Sequence, residues 1–132
     1  MSFVIDTDTC SAYLKGNPVA WKRFQQYSGN LHVSTVSLGE LYAWTLLAKA
    51  SRKRLPSLLN FLNDVKLLEV TVDVARKFGE IQAGLLDVGK SAPGLDLLIG
   101  ATALVQGYKL VTHNVQDFAN IPGLSIEDWL IP

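Results

Sequence analysis

The chain has 132 residues, of which 48% are hydrophobic and 18% charged, a composition that supports one domain with a real core. Twelve basic residues balance twelve acidic ones, so no overall positive field attracts nucleic acid. Cys10 is the single cysteine, which excludes an internal disulfide and argues against a structural zinc site. No uncharged apolar stretch is long enough to cross a membrane. We therefore expect a single cytoplasmic domain over residues 1–132.

Short apolar runs alternate with longer helical patterns, which is typical of a parallel sheet flanked by helices. In chain order, the predicted elements are strand Phe3–Ile5, helix Thr9–Leu14, helix Pro18–Tyr27, strand Leu31–Val33, helix Leu38–Ala50, helix Pro56–Asn63, strand Leu67–Val70, helix Val72–Val88, helix Leu95–Gln106, strand Leu110–Thr112, a helical turn near Asp117 and strand Ser125–Glu127. The helix over Leu95–Gln106 is apolar on nearly all sides, so we expect it to be buried. The pattern predicts an α/β fold with a central parallel sheet of four to five strands.

Three acidic residues lie in apolar surroundings: Asp6, Glu40 and Asp96. No Lys or Arg stands within five positions of any of them. A desolvated carboxylate is costly unless it is paired, so a partner must come from tertiary structure or from solution. Asp6 ends the first strand, and the other two start helices that flank the carboxyl edge of the sheet, where open α/β sheets place their sites. We expect the three to converge on a divalent cation that relieves their repulsion.

Each of these acids also has a purely structural interpretation. Asp6 or Asp8 is a favoured N-cap for the first helix. Glu40 alone fits a solvent-facing helix position, and Asp96 fits a cap at the start of its own helix. The three together are more specific than any one of them.

Five segments carry a resemblance to a known family. They are VIDTD at 4–8, STVSLGEL at 34–41, GLDLLIGATA at 94–103, LVTHNVQDF at 110–118 and IPGLSIEDW at 121–129. In this order and spacing the chain resembles PIN-domain proteins, and more closely the VapC-type toxins of bacterial toxin–antitoxin pairs. The resemblance covers essentially the whole chain. It implies a three-layer α/β/α fold and endonucleolytic cleavage of tRNA, rRNA or mRNA.

The resemblance also implies a cofactor, partners and roles. Asp6, Glu40 and Asp96 become the acidic triad for Mg²⁺ or Mn²⁺. Asp6 and Asp96 would bind the ion directly, while Glu40 would bind through water or orient the attacking water. The family usually dimerises and is inhibited by a cognate, VapB-like antitoxin, whose Arg entering the acidic cluster would be a sensible inhibitor.

Two positions depart from the family pattern. The family usually has Asn where this chain has Asp8, which adds a negative charge beside Asp6. The fourth acidic position of many relatives falls at Asn114, which can orient water or act as a ligand but brings no charge. Asp117, one helical turn away, is a candidate substitute. We therefore expect one well-held metal ion and place Asn114 and Asp117 among the catalytic candidates.

Candidate RNA contacts come from one dense basic run and from polar residues near the acids. The first group is Lys49, Arg52, Lys53 and Arg54; the second is Thr7 and Thr112, with Asn114; a weaker basic group is Lys15, Lys22 and Arg23. The basic run also fits a solvated loop at a helix end, where cations are favourable anyway. Trp21, Trp44 and Trp129 are better explained by packing or protein contact than by base stacking. Tyr42, Trp44 and Leu47 are the interface candidates.

Two alternatives from other functional classes stay open. A phosphoacceptor receiver domain has a similar length and an acidic pair after strand one. It would need an Asp at the end of strand three and a Lys after strand five. Here strand three ends with Leu68, Glu69 and Val70, followed by Thr71, and Lys109 precedes strand four. A non-catalytic interaction module that keeps the fold is the second alternative, and the neutral Asn114 leaves it open.

Overall fold

The computed structural model describes residues 1–132 and contains five short strands and seven helices. The strands are β1 Phe3–Ile5, β2 Leu31–Ser34, β3 Lys66–Leu68, β4 Lys109–Val111 and β5 Ile126–Glu127. The helices are α1 Thr7–Leu14, α2 Pro18–Gln26, α3 Thr35–Leu46, α4 Arg54–Phe61, α5 Val72–Asp87, α6 Gly94–Gln106 and α7 Val115–Phe118. All strand pairs are parallel, in the order β3-β2-β1-β4-β5. The predicted α/β fold is confirmed, with the sheet at the upper end of the expected strand count.

The sheet separates two apolar cores because successive strand residues point to opposite faces. Phe3 and Ile5 of β1 enter one core with residues of α1 to α4 and Trp129, while Val4 enters the other with residues of α5, α6 and α7. This gives the three-layer arrangement. Since β1 lies at the centre of the sheet, its last residue delivers the chain to the middle of the carboxyl edge.

Several element ends differ from the predicted ones, and capping explains the most important cases. Helix α1 begins at Thr7 rather than Thr9 because Asp6 itself is the N-cap. Helix α3 begins at Thr35 rather than Leu38 because Ser34, not Ser37, accepts the capping hydrogen bond, from the Val36 N–H. Helix α3 also ends at Leu46 instead of reaching Ala50.

The sheet order separates this fold from the receiver alternative. Receiver domains have the order 2-1-3-4-5, whereas here β1 lies between β2 and β4 and β3 forms an edge. No helix is both long and apolar enough to span a membrane.

Candidate active site

Asp6 lies at the end of β1 and is 3% exposed. Its Oδ1 accepts a hydrogen bond from the Thr9 N–H at 2.9 Å, so it caps α1 as the structural interpretation required. Burial raises the pKa of the Asp6 carboxyl above its usual value, hydrogen bonds from Thr112 and Thr9 oppose the rise, and the charge of Asp8 adds to it. Asp6 is therefore both a cap and a buried acid in an anionic environment.

Glu40 lies in the second turn of α3 and is held by Thr7, the residue that follows Asp6. The Thr7 hydroxyl donates to Glu40 Oε1 at 2.6 Å, which joins the start of α1 to α3. Thr7 was predicted as an RNA contact, and in the structure its hydroxyl orients an acid. Thr112 was also predicted as an RNA contact, but it is fully buried and its hydroxyl accepts the Asn114 N–H.

Asp96 lies in the first turn of α6 at the same edge of the sheet. The pKa of its carboxyl is raised to about 6, first by burial and then by the negative charges of Asp117, Asp6, Glu40 and Asp8. The expectation that α6 is buried on all sides is wrong for this turn, since Leu95 is 52% exposed; the buried part begins at Leu97. The raised pKa of Asp96 therefore reflects burial first and the neighbouring negative charges second.

Asn114 follows β4 and faces α1. Its side-chain amide donates to Asp8 Oδ2, and its backbone N–H donates to the Thr112 hydroxyl at 3.0 Å. Asp117 is exposed in α7, and its charge acts on Asp96 more strongly than that of Asp6 does. The structure thus places all five predicted catalytic candidates at one edge and adds Asp8 to them.

Residues 3–124 match the PIN domain family. The chain belongs to the PIN-domain family. Ribonuclease VapC1 of Rickettsia felis is 31% identical over 134 residues, which cover 96% of this chain and 95% of that protein. The tRNA(fMet)-specific endonuclease VapC of Salmonella typhimurium is 29% identical over 130 residues and 98% of each chain. These relatives place this PIN domain in the VapC group.

Solved structures agree with this assignment. The DNA-bound VapBC complex of Salmonella typhimurium contains a chain that superposes with a TM-score of 0.91 at 29% identity, over 98% of both chains. The VapBC2 complex of Rickettsia felis, bound to a promoter DNA fragment, gives a TM-score of 0.89 at 24% identity over 98% and 99%, which supports the fold alone.

The donor chemistry of this PIN-domain site suits a hard divalent cation. The converging side chains supply oxygen atoms, and none of the ion pairs of the protein involves Asp6, Glu40 or Asp96. No three acids lie close enough together in this structure to enclose an ion by themselves. Mg²⁺ usually keeps several waters and needs only one or two carboxylates, so an open arrangement of oxygen donors fits it better than it fits zinc.

The basic run lies in the turn that joins α3 to α4. Lys49, Arg52 and Lys53 are exposed, whereas Arg54 is partly buried. Arg54 Nη1 donates to the Trp44 carbonyl at 2.9 Å, and the guanidinium lies 4.8 Å from the centre of the Trp44 ring. Arg54 therefore links the start of α4 to the C-terminal part of α3. The other three cations of the run, Lys49, Arg52 and Lys53, are exposed and able to contact RNA.

The tryptophans lie in different environments. Trp129 is 1% exposed and stacks on Tyr27 at 5.3 Å, so it belongs to the core. Trp21 is 54% exposed on α2. Of the interface candidates, Leu47 is exposed at the end of α3, while Tyr42 is half-buried against the core.

Sequence reasoning missed one pair at this edge. His113 follows β4 and is exposed, and its Nδ1 lies 2.9 Å from Asp128 Oδ2. The other oxygen, Asp128 Oδ1, accepts the Leu130 N–H, so the carboxylate that holds the imidazole is itself fixed. His113 also lines an open hollow of about 350 Å³ with Asn114, Gln116 and Asp117. No local pattern indicates this pair, because its members are 15 positions apart and follow different strands.

Proposed function

We propose that this protein is a Mg²⁺-dependent endoribonuclease that acts as the toxin of a toxin–antitoxin pair. The observation that carries the proposal is a set of acids at one edge of the sheet that no cation of the protein pairs with: Asp6, which is buried, Glu40, which Thr7 holds, and Asp96. Such a concentration of like charge is costly in a protein that has no internal cation to offset it. Relatives that match nearly the whole chain are named ribonucleases or endonucleases, which supports RNA as the substrate.

Each side chain then has a defined task. Asp6 and Asp96 are the proposed metal ligands. Asp6 is buried, and the negative charges of the other acids act on the carboxyl of Asp96. Glu40, held by Thr7, is placed to orient the attacking water. When bound, Mg²⁺ activates water and stabilises the negative charge that develops on the phosphate. Mn²⁺ offers a similar preference for oxygen ligands.

RNA would approach the edge along two sides. On one side the cations Lys49, Arg52 and Lys53 are exposed between α3 and α4, and Coulombic contact with phosphates is their expected role. On the other side His113 presents an exposed, fixed imidazole. Since the net charge is zero, these local groups must supply the attraction for RNA.

A VapB-like antitoxin is the proposed protein partner. Structures of relatives are VapBC complexes, and in this chain α3, α4 and their turn expose a set of leucines: Leu46, Leu47, Leu55 and Leu59. An apolar surface of this kind beside an acidic cluster suits a partner segment that carries both apolar residues and arginine. The homodimer expected from the family stays a prediction.

The proposal is tested by replacing Asp6 or Asp96 with Asn and measuring RNA cleavage with Mg²⁺ and with EDTA. Asn caps a helix as well as Asp does, so Asp6→Asn keeps the α1 cap while it removes the charge. We expect a loss of about 100-fold or more in each variant. Glu80→Gln is the matched control, because Glu80 is an exposed acid on α5 paired with Lys77 and should keep full activity. Full activity of Asp6→Asn or of the protein in EDTA would contradict the proposal and would favour a non-catalytic module.

A further inference from the structure

A contact between Asp8 and Asn114 ties together two parts of the site. The Asn114 amide donates to Asp8 Oδ2 across 106 positions of sequence, and so joins the first turn of α1 to the segment after β4. Asp8 is exposed and takes part in none of the ion pairs of the protein. Its carboxylate is therefore held by a neutral amide and not by a cation.

Asp8 lies in the same helical turn as the buried acid Asp6. Asp6 is the N-cap of α1 and accepts the Thr9 N–H, and Asp8 is the second residue of that helix. Asn114 holds the segment after β4 as well, because its backbone N–H donates to the hydroxyl of the buried Thr112. Asn114 thus connects Asp8 of α1 with the end of β4, the strand that pairs with the one that carries Asp6.

We propose that Asp8 is an acidic member of the metal site and that Asn114 is the positioning residue that holds it there. The proposal rests on the function proposed above and deepens it. Asn114, the neutral residue after β4, then does not reduce the negative charge of the site, because Asp8 in α1 supplies a carboxylate in its place. A carboxylate and an amide in contact can also be exchanged: the reverse pair has the same charge and can form the same hydrogen bond.

This exchange defines the experiment. Four proteins are compared: the unchanged chain, Asp8→Asn, Asn114→Asp and the double exchange. Melting temperature is measured first in EDTA and then across a Mg²⁺ titration, and RNA cleavage is measured separately. Glu80→Gln serves as the control for loss of one exposed negative charge.

In EDTA, Asn114→Asp places two carboxylates in contact and should lower the melting temperature by about 3–6 °C. The double exchange should return it to within about 1 °C of the unchanged chain, so the two effects are not additive. In the titration, Asp8→Asn should raise the Mg²⁺ midpoint by about tenfold, and the double exchange should restore it. Should Asn114→Asp fail to fold, restoration of the midpoint by the double exchange decides the question.

If the changes in melting temperature of the two single variants add up in the double exchange in EDTA, the pairing of Asp8 with Asn114 is overturned. An unchanged Mg²⁺ midpoint in Asp8→Asn would overturn the role of Asp8. The failure of the proposed function looks different. An unchanged chain without any Mg²⁺ response would overturn that function and with it the role of Asp8, while the coupling in EDTA still decides the pairing on its own.

Discussion

Replacing Asp96 with Asn should stabilise the metal-free protein at neutral pH. The pKa of this carboxyl is raised from 3.8 to about 6, so the folded state holds the proton more tightly than the unfolded chain does. Stability is therefore fully present below about pH 4 and is lost as the pH rises through about 6. Above that pH the ionised group opposes folding, and a neutral amide of similar shape removes the opposition.

The magnitude follows from the size of the shift. One pKa unit corresponds to about 1.4 kcal/mol, so the rise to about 6 sets an upper limit of about 3 kcal/mol. Asp96 is only partly buried, and screening by solvent reduces the expected gain in the free energy of unfolding to about 1–2 kcal/mol. For a domain of this size, that corresponds to a rise of about 3–8 °C in melting temperature.

The assay is thermal unfolding in EDTA at pH 7.5 and pH 4.5, with Glu80→Gln as the control. The gain of Asp96→Asn should fall to less than half at pH 4.5, while the control should change little at either pH. With Mg²⁺ in large excess over its Kd the order should reverse, since ligand binding adds about 2.7 kcal/mol at a hundredfold excess to a protein that retains its ligands. A gain equal at both pH values, or a lower melting temperature in EDTA at pH 7.5, would refute the electrostatic reasoning.

Three further predictions concern other groups. Thr7→Val should reduce RNA cleavage about tenfold, because Glu40 loses its hydrogen bond, and Thr7→Ser should restore it; equal rates in both variants would contradict a positioning role. Arg52→Ala with Lys53→Ala should weaken RNA binding and lower the slope of log affinity against log salt by about one per lost phosphate contact; an unchanged slope would favour a solvated loop. Burial lowers the pKa of His32, so the protein should lose stability as the pH falls below about 6.5. In melting temperatures measured from pH 7.5 to 5.5, His32→Gln should make this decrease with falling pH smaller.

The sequence predicted the elements and the sheet type well, because their signals are local. The buried strand over Phe3–Ile5 and the helix over 72–88, with its apolar face, are read from periodicity alone. The predicted ends of helices were less accurate where two residues could each serve as the N-cap. Ser34 and Ser37 are both plausible N-caps, and only the structure shows that Ser34 accepts the Val36 N–H while the Ser37 hydroxyl is buried without a partner.

The site was predicted as a set of residues but not as a set of contacts. Asp6, Glu40 and Asp96 stand out because acids in apolar segments are costly, and this signal is local. The contacts of Thr7 with Glu40 and of Asn114 with Asp8 depend on which helices meet, and no local pattern contains that information. The result changes the interpretation of Thr7 from a contact with RNA to a support for an acid.

Helix starts bring the acids together, yet they cannot balance the charge. Asp6 caps α1 and Asp96 lies in the first turn of α6, so each benefits from the positive end of a helix dipole. That benefit is about 0.3–1 kcal/mol and fades beyond the first turn, which leaves Glu40, in the second turn of α3, with little of it. If the dipoles sufficed, the pKa of Asp96 would lie near its usual value, whereas it is raised to about 6. The fold therefore fixes the positions of Asp6 and Asp96 at helix starts and leaves an excess of negative charge at this edge, which the proposed Mg²⁺ would offset.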